Sequence, residues 1–316
     1  MNYYVNVQGG TGLNLAFASF LVEAKQEHPD DNYYVCSPYF DIFQCCPAVS
    51  GVYKPNELRD LIFDCKEDTN GMIITHRLYD MDDFIFKRIN YSQAWAKLFG
   101  YDDWKDTEKG TRVRSVLNPL STFPMLQQMV DNMLNTIKAN HFKDFIIVQF
   151  TGGQSPLVQA PIGPNGQPDF SKVPYDYMNE PLKRHYPIDK ATEFCKLYHE
   201  KHPETAIVNY GLPNEPCPDL PYVVRTMMPY LAWYELAKKA KQIICIDSSL
   251  MHLTAGLKCN TVVIWGHSKP ENFGYSYNKN IEQKCRTDDL LYFSALGPSG
   301  AKITYIEPED LLKETE

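Results

Sequence analysis

Two hydrophobic periods alternate along this chain. Runs with nearly every position apolar or aromatic, at 3–8, 33–36, 72–75, 144–150, 205–210, 243–246 and 260–267, read as short buried strands. Between them, apolar residues recur at helical spacing. Leu13, Phe17, Phe20, Leu21 and Ala24 mark a helix over 13–27, and further helices are expected near 91–99, 123–139, 188–201 and 230–241. Strand and helix alternate in this way twice over, which predicts an α/β protein of two parallel-sheet domains, 1–142 and 143–316. The helix near 123–139 closes the first domain or crosses to the second. Residues 155–182 hold no period and are rich in Pro, Gly and Asn, so they read as a long loop, a candidate lid that orders on substrate.

Composition narrows the class. A chain of 316 residues that is 44% hydrophobic can fill two cores. It holds no apolar run of membrane-crossing length, and no basic segment followed by a cleavable apolar stretch opens it, so the expectation is a soluble, cytoplasmic protein. Nine scattered cysteines without a Cys-x-x-Cys pair suit a reducing compartment. The net charge of −8 provides no broad basic face for duplex nucleic acid.

The most informative stretch is 243–257, where an apolar strand runs into Asp247, Ser248 and Ser249 at the start of a helix. The first amides of a helix lack internal partners and carry partial positive charge, so such a junction can hold a phosphate. Ser248 or Ser249 suits the cap, and Asp247 sits at the strand's carboxyl end, where open parallel sheets place ligands. An apolar strand and a Pro-containing polar loop, 268–275, follow. The segment resembles the C-terminal donor-binding half of the heptosyltransferase-like glycosyltransferases, matching at Asp247, Ser248, His252, Leu253, Ala255, Gly266 and Pro270. It departs at Ser249, where the family usually has Gly.

That resemblance implies the GT-B architecture, two Rossmann-like parallel-sheet domains facing across a cleft, and transfer of a sugar from a nucleotide-diphosphate sugar to an acceptor hydroxyl with inversion. It also implies roles. Gly152 and Gly153 match a glycine loop that lets backbone approach a ligand. Arg184 matches a cationic position on the donor diphosphate, where its fork binds phosphate oxygens bidentately. Glu215 matches an acid that accepts hydrogen bonds from the ribose hydroxyls. Ser248 and Ser249 amides would hold the diphosphate, and Asp247 or His252 the sugar hydroxyls or the helix start; His252 has a purely packing role as its alternative. With the helix start and Arg184 meeting the departing diphosphate, neither metal nor cofactor is expected. Asp80-Met81-Asp82 spells the Asp-x-Asp of metal-dependent glycosyltransferases of another fold, but in the half opposite the donor site.

The N-terminal half departs further. Heptosyltransferases usually carry an Asp after the glycine of the first loop, and this chain has Leu13 there. The run Gly9-Gly10-Thr11-Gly12 also resembles the glycine loop of undecaprenyl-linked N-acetylglucosaminyltransferases, whose His falls at Asn14 here. A general base must therefore come from elsewhere. His76 at a strand's carboxyl end is favoured for its near-neutral reference pKa, with Asp80, Asp82 and Asp41 as alternatives. Two other functions remain open: a non-catalytic nucleotide-sugar-binding protein and a nucleotide-sugar epimerase of the same fold. The acceptor, glycan, lipid-linked or a modified base in nucleic acid, and the oligomeric state are open as well.

Overall fold

The computed structural model describes residues 1–85, 88–104, 117–152, 185–212, 215–257, 259–266, 270–282 and 306–316. Gly153, Arg184 and the expected lid at 155–182 lie outside the described residues. The chain divides into two compact units. One comprises Met1–Leu126, Ala255–Lys258 and Pro270–Tyr277, the other Gln127–Thr254, Cys259–Lys269 and Asn278–Glu316.

The first unit is built on a four-stranded sheet of β1 (Asn2–Asn6), β2 (Asn32–Cys36), β3 (Gly51–Tyr53) and β4 (Gly71–Thr75), all parallel, in the order β3-β2-β1-β4. Side chains alternate across it, as the pleat requires. Tyr3 and Tyr33 point to one face and meet Phe99, their rings 4.8 and 5.9 Å from it. On the same side Phe17 of the helix Thr11–Glu27 packs on Trp95 of the helix Tyr91–Phe99, ring centroids 4.1 Å apart. Tyr4 and Tyr34 stack on the opposite face, 4.7 Å apart, where Leu61 of the helix Leu58–Glu67 covers them. The helix Tyr91–Phe99 carries strong local stop and start signals. Asn90 and Gln93 exchange side-chain-to-amide bonds of 2.9 Å at its start, and Gly100 ends it in the left-handed region at φ 73°.

The second unit holds six parallel strands: β5 (Asp144–Gln149), β6 (Thr205–Asn209), β7 (Val223–Arg225), β8 (Gln242–Ile246), β9 (Thr261–Trp265) and β10 (Lys279–Glu282). Their order is β10-β9-β8-β5-β6-β7. Every residue of β6, β8 and β9 is buried, which explains why these strands read as nearly continuous apolar runs. Ile146, Val148, Ile207, Ile244, Ile246, Val262 and Ile264 pack with Phe194, Cys195 and Tyr198 of the helix Ile188–Lys201 and with Leu311 and Leu312 of the helix Pro308–Glu314.

Both sheets are wired alike. In the first, the chain grows outward from β1 through β2 to β3 and then returns to the other side of β1 as β4. In the second it grows from β5 through β6 to β7 and returns beside β5 as β8. Each sheet therefore has a switch point, between β1 and β4 and between β5 and β8. There the connections leave in opposite directions and open a crevice beyond the strand ends, where ligands of such sheets bind.

Several elements differ from the sequence reading. The short strands β3, β7 and β10 and the helix Leu58–Glu67 were not expected. Within the expected polar loop 268–275, Pro270–Phe273 forms a helical turn belonging to the first unit. Phe273 packs there on Phe84 and Tyr91, and Asn272 Nδ2 donates to the Ile89 carbonyl at 2.9 Å. Of the eight described cysteines, all free, Cys36, Cys45, Cys46, Cys195 and Cys245 are buried. Burial pushes the Cys46 thiol up to about 12 and raises those of Cys36, Cys195 and Cys245 as well. No described helix is long and apolar enough to cross a membrane.

Candidate functional site

The switch point of the second sheet collects most of the expected donor residues. β5 ends at Gln149 and β8 at Ile246, adjacent strands whose exits are Phe150–Thr151–Gly152 and Asp247–Ser248–Ser249. Ser248 Oγ donates to Gln149 Oε1, so a hydrogen bond joins the two exits. Gly152 lies against the same pair: a Cβ on it would stand 3.3 Å from Gln149 Nε2 and 3.6 Å from Ser248 Cβ. The absent side chain thus leaves backbone at the mouth of the crevice. Asp247 is buried, whereas Ser248 and Ser249 remain partly exposed, so protein side chains do not seal the turn from solvent. His252 is partly buried, one turn into the helix Ser249–Ala255. Tyr210, beyond β6, brings its hydroxyl within 3.3 Å of Ser249 Oγ.

His185, next in sequence to Arg184, anchors the far end of the intervening chain. Its Nε2–H donates to the Gly152 carbonyl at 2.5 Å, and the Tyr186 amide donates to the Phe150 carbonyl at 2.9 Å. Burial lowers the His185 pKa, although the Gly152 carbonyl pulls the other way. The residue after Arg184 is therefore fixed at the Gly152 exit.

Thr151 connects this cluster to Glu215. Its hydroxyl donates to Glu215 Oε2 at 3.3 Å, and the Leu212 amide donates to the same oxygen at 2.9 Å. Arg225, at the end of β7, donates from Nη2 to the Leu212 carbonyl (2.6 Å) and the Glu215 carbonyl (2.7 Å), clamping the ends of this turn. Burial raises the Glu215 pKa, and the Leu212 and Thr151 hydrogen bonds and the Arg225 charge oppose it. A side chain on Gly211 would crowd this turn. A Cβ there would come within 2.9 Å of Glu215 Oε2 and 3.3 Å of Asn209 Nδ2. Gln149, Thr151, His185 and Asn209 were not singled out from the sequence. Only their position within two residues of a strand end, or beside Arg184, could have marked them.

In the first unit His76 follows β4 directly, and its amide donates to the Asn6 carbonyl at 3.1 Å, so it stands at the β1–β4 switch point. Its ring packs at 5.4 Å from both Tyr79 and Trp95. This desolvation lowers its pKa to about 4, with the Asp80 carboxylate opposing. Its Nε2 is buried and has no hydrogen-bond partner among the described residues. Asp80 lies in the short turn Leu78–Asp80 and is exposed, as is Asp82. Asp41 accepts the Ile42 amide at the start of the helix Phe40–Gln44.

The glycine loop of the same switch point has a structural tie where a base would be expected. Asn14 is fully buried. Its Nδ2 donates to the Gly10 carbonyl (2.9 Å) and the Gly9 carbonyl (3.4 Å), and its Oδ1 accepts from Ser37 Oγ at 2.6 Å. Leu13 folds back over Gly9, whose φ of 105° is open to glycine. Neither side chain is chemically equipped to remove a proton.

Two Rossmann-like units with parallel sheets and matched switch points define an α/β fold of the GT-B class, and solved structures share it. They include a family 9 glycosyltransferase from Veillonella parvula (TM-score 0.63, 11% identity, 99% of this chain and 95% of that chain). The E. coli ADP-heptose LPS heptosyltransferase II aligns with TM-score 0.59 and 14% identity over 99% and 97% of the two chains. E. coli heptosyltransferase WaaC, solved with ADP, aligns with TM-score 0.55 and 11% identity over 100% of each. No curated protein matches by sequence. Residues 220–289 match the model of glycosyltransferase family 9 (heptosyltransferase), a span that includes Asp247, Ser248, Ser249 and His252. The chain is thus heptosyltransferase-like both in its fold and in this segment, as its sequence motif implies.

Proposed function

We propose that the protein is a heptosyltransferase-like glycosyltransferase that moves a sugar from a nucleotide-diphosphate donor to an acceptor hydroxyl. One observation carries the reading: the Asp247–Ser249 turn, inside the segment that matches the family, stands at the switch point of the second sheet beside the bare backbone of Gly152. The amides of Ser248 and Ser249, with Gly152, Gly153 and Arg184, are assigned to the diphosphate, and Glu215 to the ribose. Asp247 or His252 meets the sugar or holds the turn. His76 takes the acceptor's proton, with Asp80 as the alternative, and the anomeric centre inverts in a single displacement. Charge on the leaving diphosphate is met by amides and Arg184, so transfer needs no metal. Nine scattered cysteines without a Cys-x-x-Cys pair are the ground for a cytoplasmic location.

A panel of nucleoside diphosphates and their sugars in a thermal-shift measurement tests the donor site, ADP first because the solved WaaC carries it. A ligand at a hundred times its Kd adds about 2.7 kcal/mol of stability. Arg184→Ala should abolish the shift; a panel without any shift in the wild-type protein overturns the reading. A second reading, donor binding without transfer, is favoured by Leu13 and the tied Asn14. It predicts the same thermal shift with neither transfer nor donor hydrolysis.

A further inference from the structure

The Glu215 turn contains a polar atom that the fold leaves unused. Asn209, the last residue of β6, is 3% exposed, and among the described residues its Nδ2 has no hydrogen-bond partner. A buried amide N–H normally finds an acceptor, and one left unmade is a standing cost to folding. The direction of this donor is informative. The point where a Cβ would extend from Gly211 is 3.3 Å from Asn209 Nδ2 and 2.9 Å from Glu215 Oε2, so both atoms converge on the bare side of one glycine.

A donor and a carboxylate acceptor that converge in this way are complemented by a group able to accept and donate at once. A hydroxyl does both through one oxygen. A phosphate has no proton for Glu215 and would meet its charge unfavourably.

We propose that Asn209 reads the sugar of the donor nucleotide: its Nδ2 donates to the oxygen of a ribose hydroxyl whose proton is given to Glu215. This rests on the assignment of Glu215 to the ribose and makes the site selective for ribonucleotides over their deoxy counterparts. The strength of the selection comes from the unused amide, because a deoxy sugar leaves both Asn209 and Glu215 without a bond that the ribose makes.

The test measures Kd of the full chain for the diphosphates of adenosine, guanosine, uridine and cytidine, and for the 2′-deoxy and 3′-deoxy forms of the tightest. The wild-type protein should bind the ribonucleotide at least tenfold more tightly than one of the deoxy forms. Asn209→Leu keeps the branched shape and the heavy-atom count and removes the donor. It should weaken the ribonucleotide about tenfold, leave that deoxy form nearly unchanged, and melt no lower than the wild type without ligand. A ribose-to-deoxy ratio unchanged in Asn209→Leu overturns the inference while the donor site stands. So does a lowered melting temperature with the ratio intact, which marks Asn209 as purely structural. Selection by base alone, with deoxy forms bound equally well, assigns the pair to a nucleobase edge and also overturns it. Absence of binding to all four ribonucleotides overturns both readings together.

Discussion

Ser248 Oγ donates to Gln149 Oε1, and this bond spans β8 and β5, the two strands between which the second sheet reverses its direction of growth. The backbone pairing of these strands ends at Gln149 and Cys245, and the side-chain bond joins their exits beyond it. Ser248→Ala strips the buried Gln149 oxygen of this donor and should cost about 1–3 kcal/mol. Urea unfolding with an unchanged slope should show the loss as a lower midpoint.

Gly152→Ala separates ligand access from folding. The added methyl meets the flexible end of Gln149 at 3.3 Å, which can yield, so the melting temperature should stay within a few degrees of wild type. If the diphosphate lies on this backbone, nucleotide affinity should fall by more than tenfold in a calorimetric titration. An unchanged Kd would place the diphosphate elsewhere.

His76 gives two pH signatures. Its folded pKa, lowered to about 4, lies below the ordinary 6.5, so between these values the unfolded chain binds a proton that the folded chain refuses. Its contribution to stability is complete above pH 6.5 and is lost as pH falls toward 4; His76→Gln should flatten that slope in denaturant midpoints. As the base, it should also set the acid limb of kcat/KM nearer pH 4 than 6.5, and His76→Ala should lower kcat by about 10²–10⁴-fold.

Placing an acid at Asn14, one residue past the position where heptosyltransferases carry Asp, should fail. In Asn14→Asp the amide donor to the Gly9 and Gly10 carbonyls becomes a carboxylate oxygen facing them, in a fully buried position. A loss of about 3 kcal/mol or more in chemical denaturation is expected, with no gain in transfer rate.

Transfer should persist after exhaustive chelation, since the proposed site meets the diphosphate with amides and a guanidinium. Activity abolished by chelator and recovered on adding a divalent ion would contradict that mechanism.

Strands β5, β6, β8 and β9 were legible because burial on both faces makes them mostly apolar, and β1, β2 and β4 because their short runs are apolar or aromatic at nearly every position. β3, β7 and β10 have three or four residues each, mostly half-exposed, and too few positions to display a period. The helix Leu58–Glu67 buries only Leu61 and has Ile62 and Phe63 exposed, so its apolar positions did not mark a core face. Within the site, Asp247–Ser249 and Gly152 were legible because strand ends and glycines leave local marks. Gln149 and Asn209 were not, since a polar residue inside an apolar strand acquires meaning only from the strand beside it. The link between Thr151 and Glu215 spans 64 residues, a distance over which local pattern carries no information.

The buried thiols supply a clock. Alkylation requires a thiolate and access, and at Cys36, Cys46, Cys195 and Cys245 burial and a raised pKa withhold both while the chain is folded. Under native conditions the modification of each would proceed only as fast as its surroundings open. With Cys46 in one unit and Cys245 in the other, residue-resolved labelling would time the opening of each without any engineered probe.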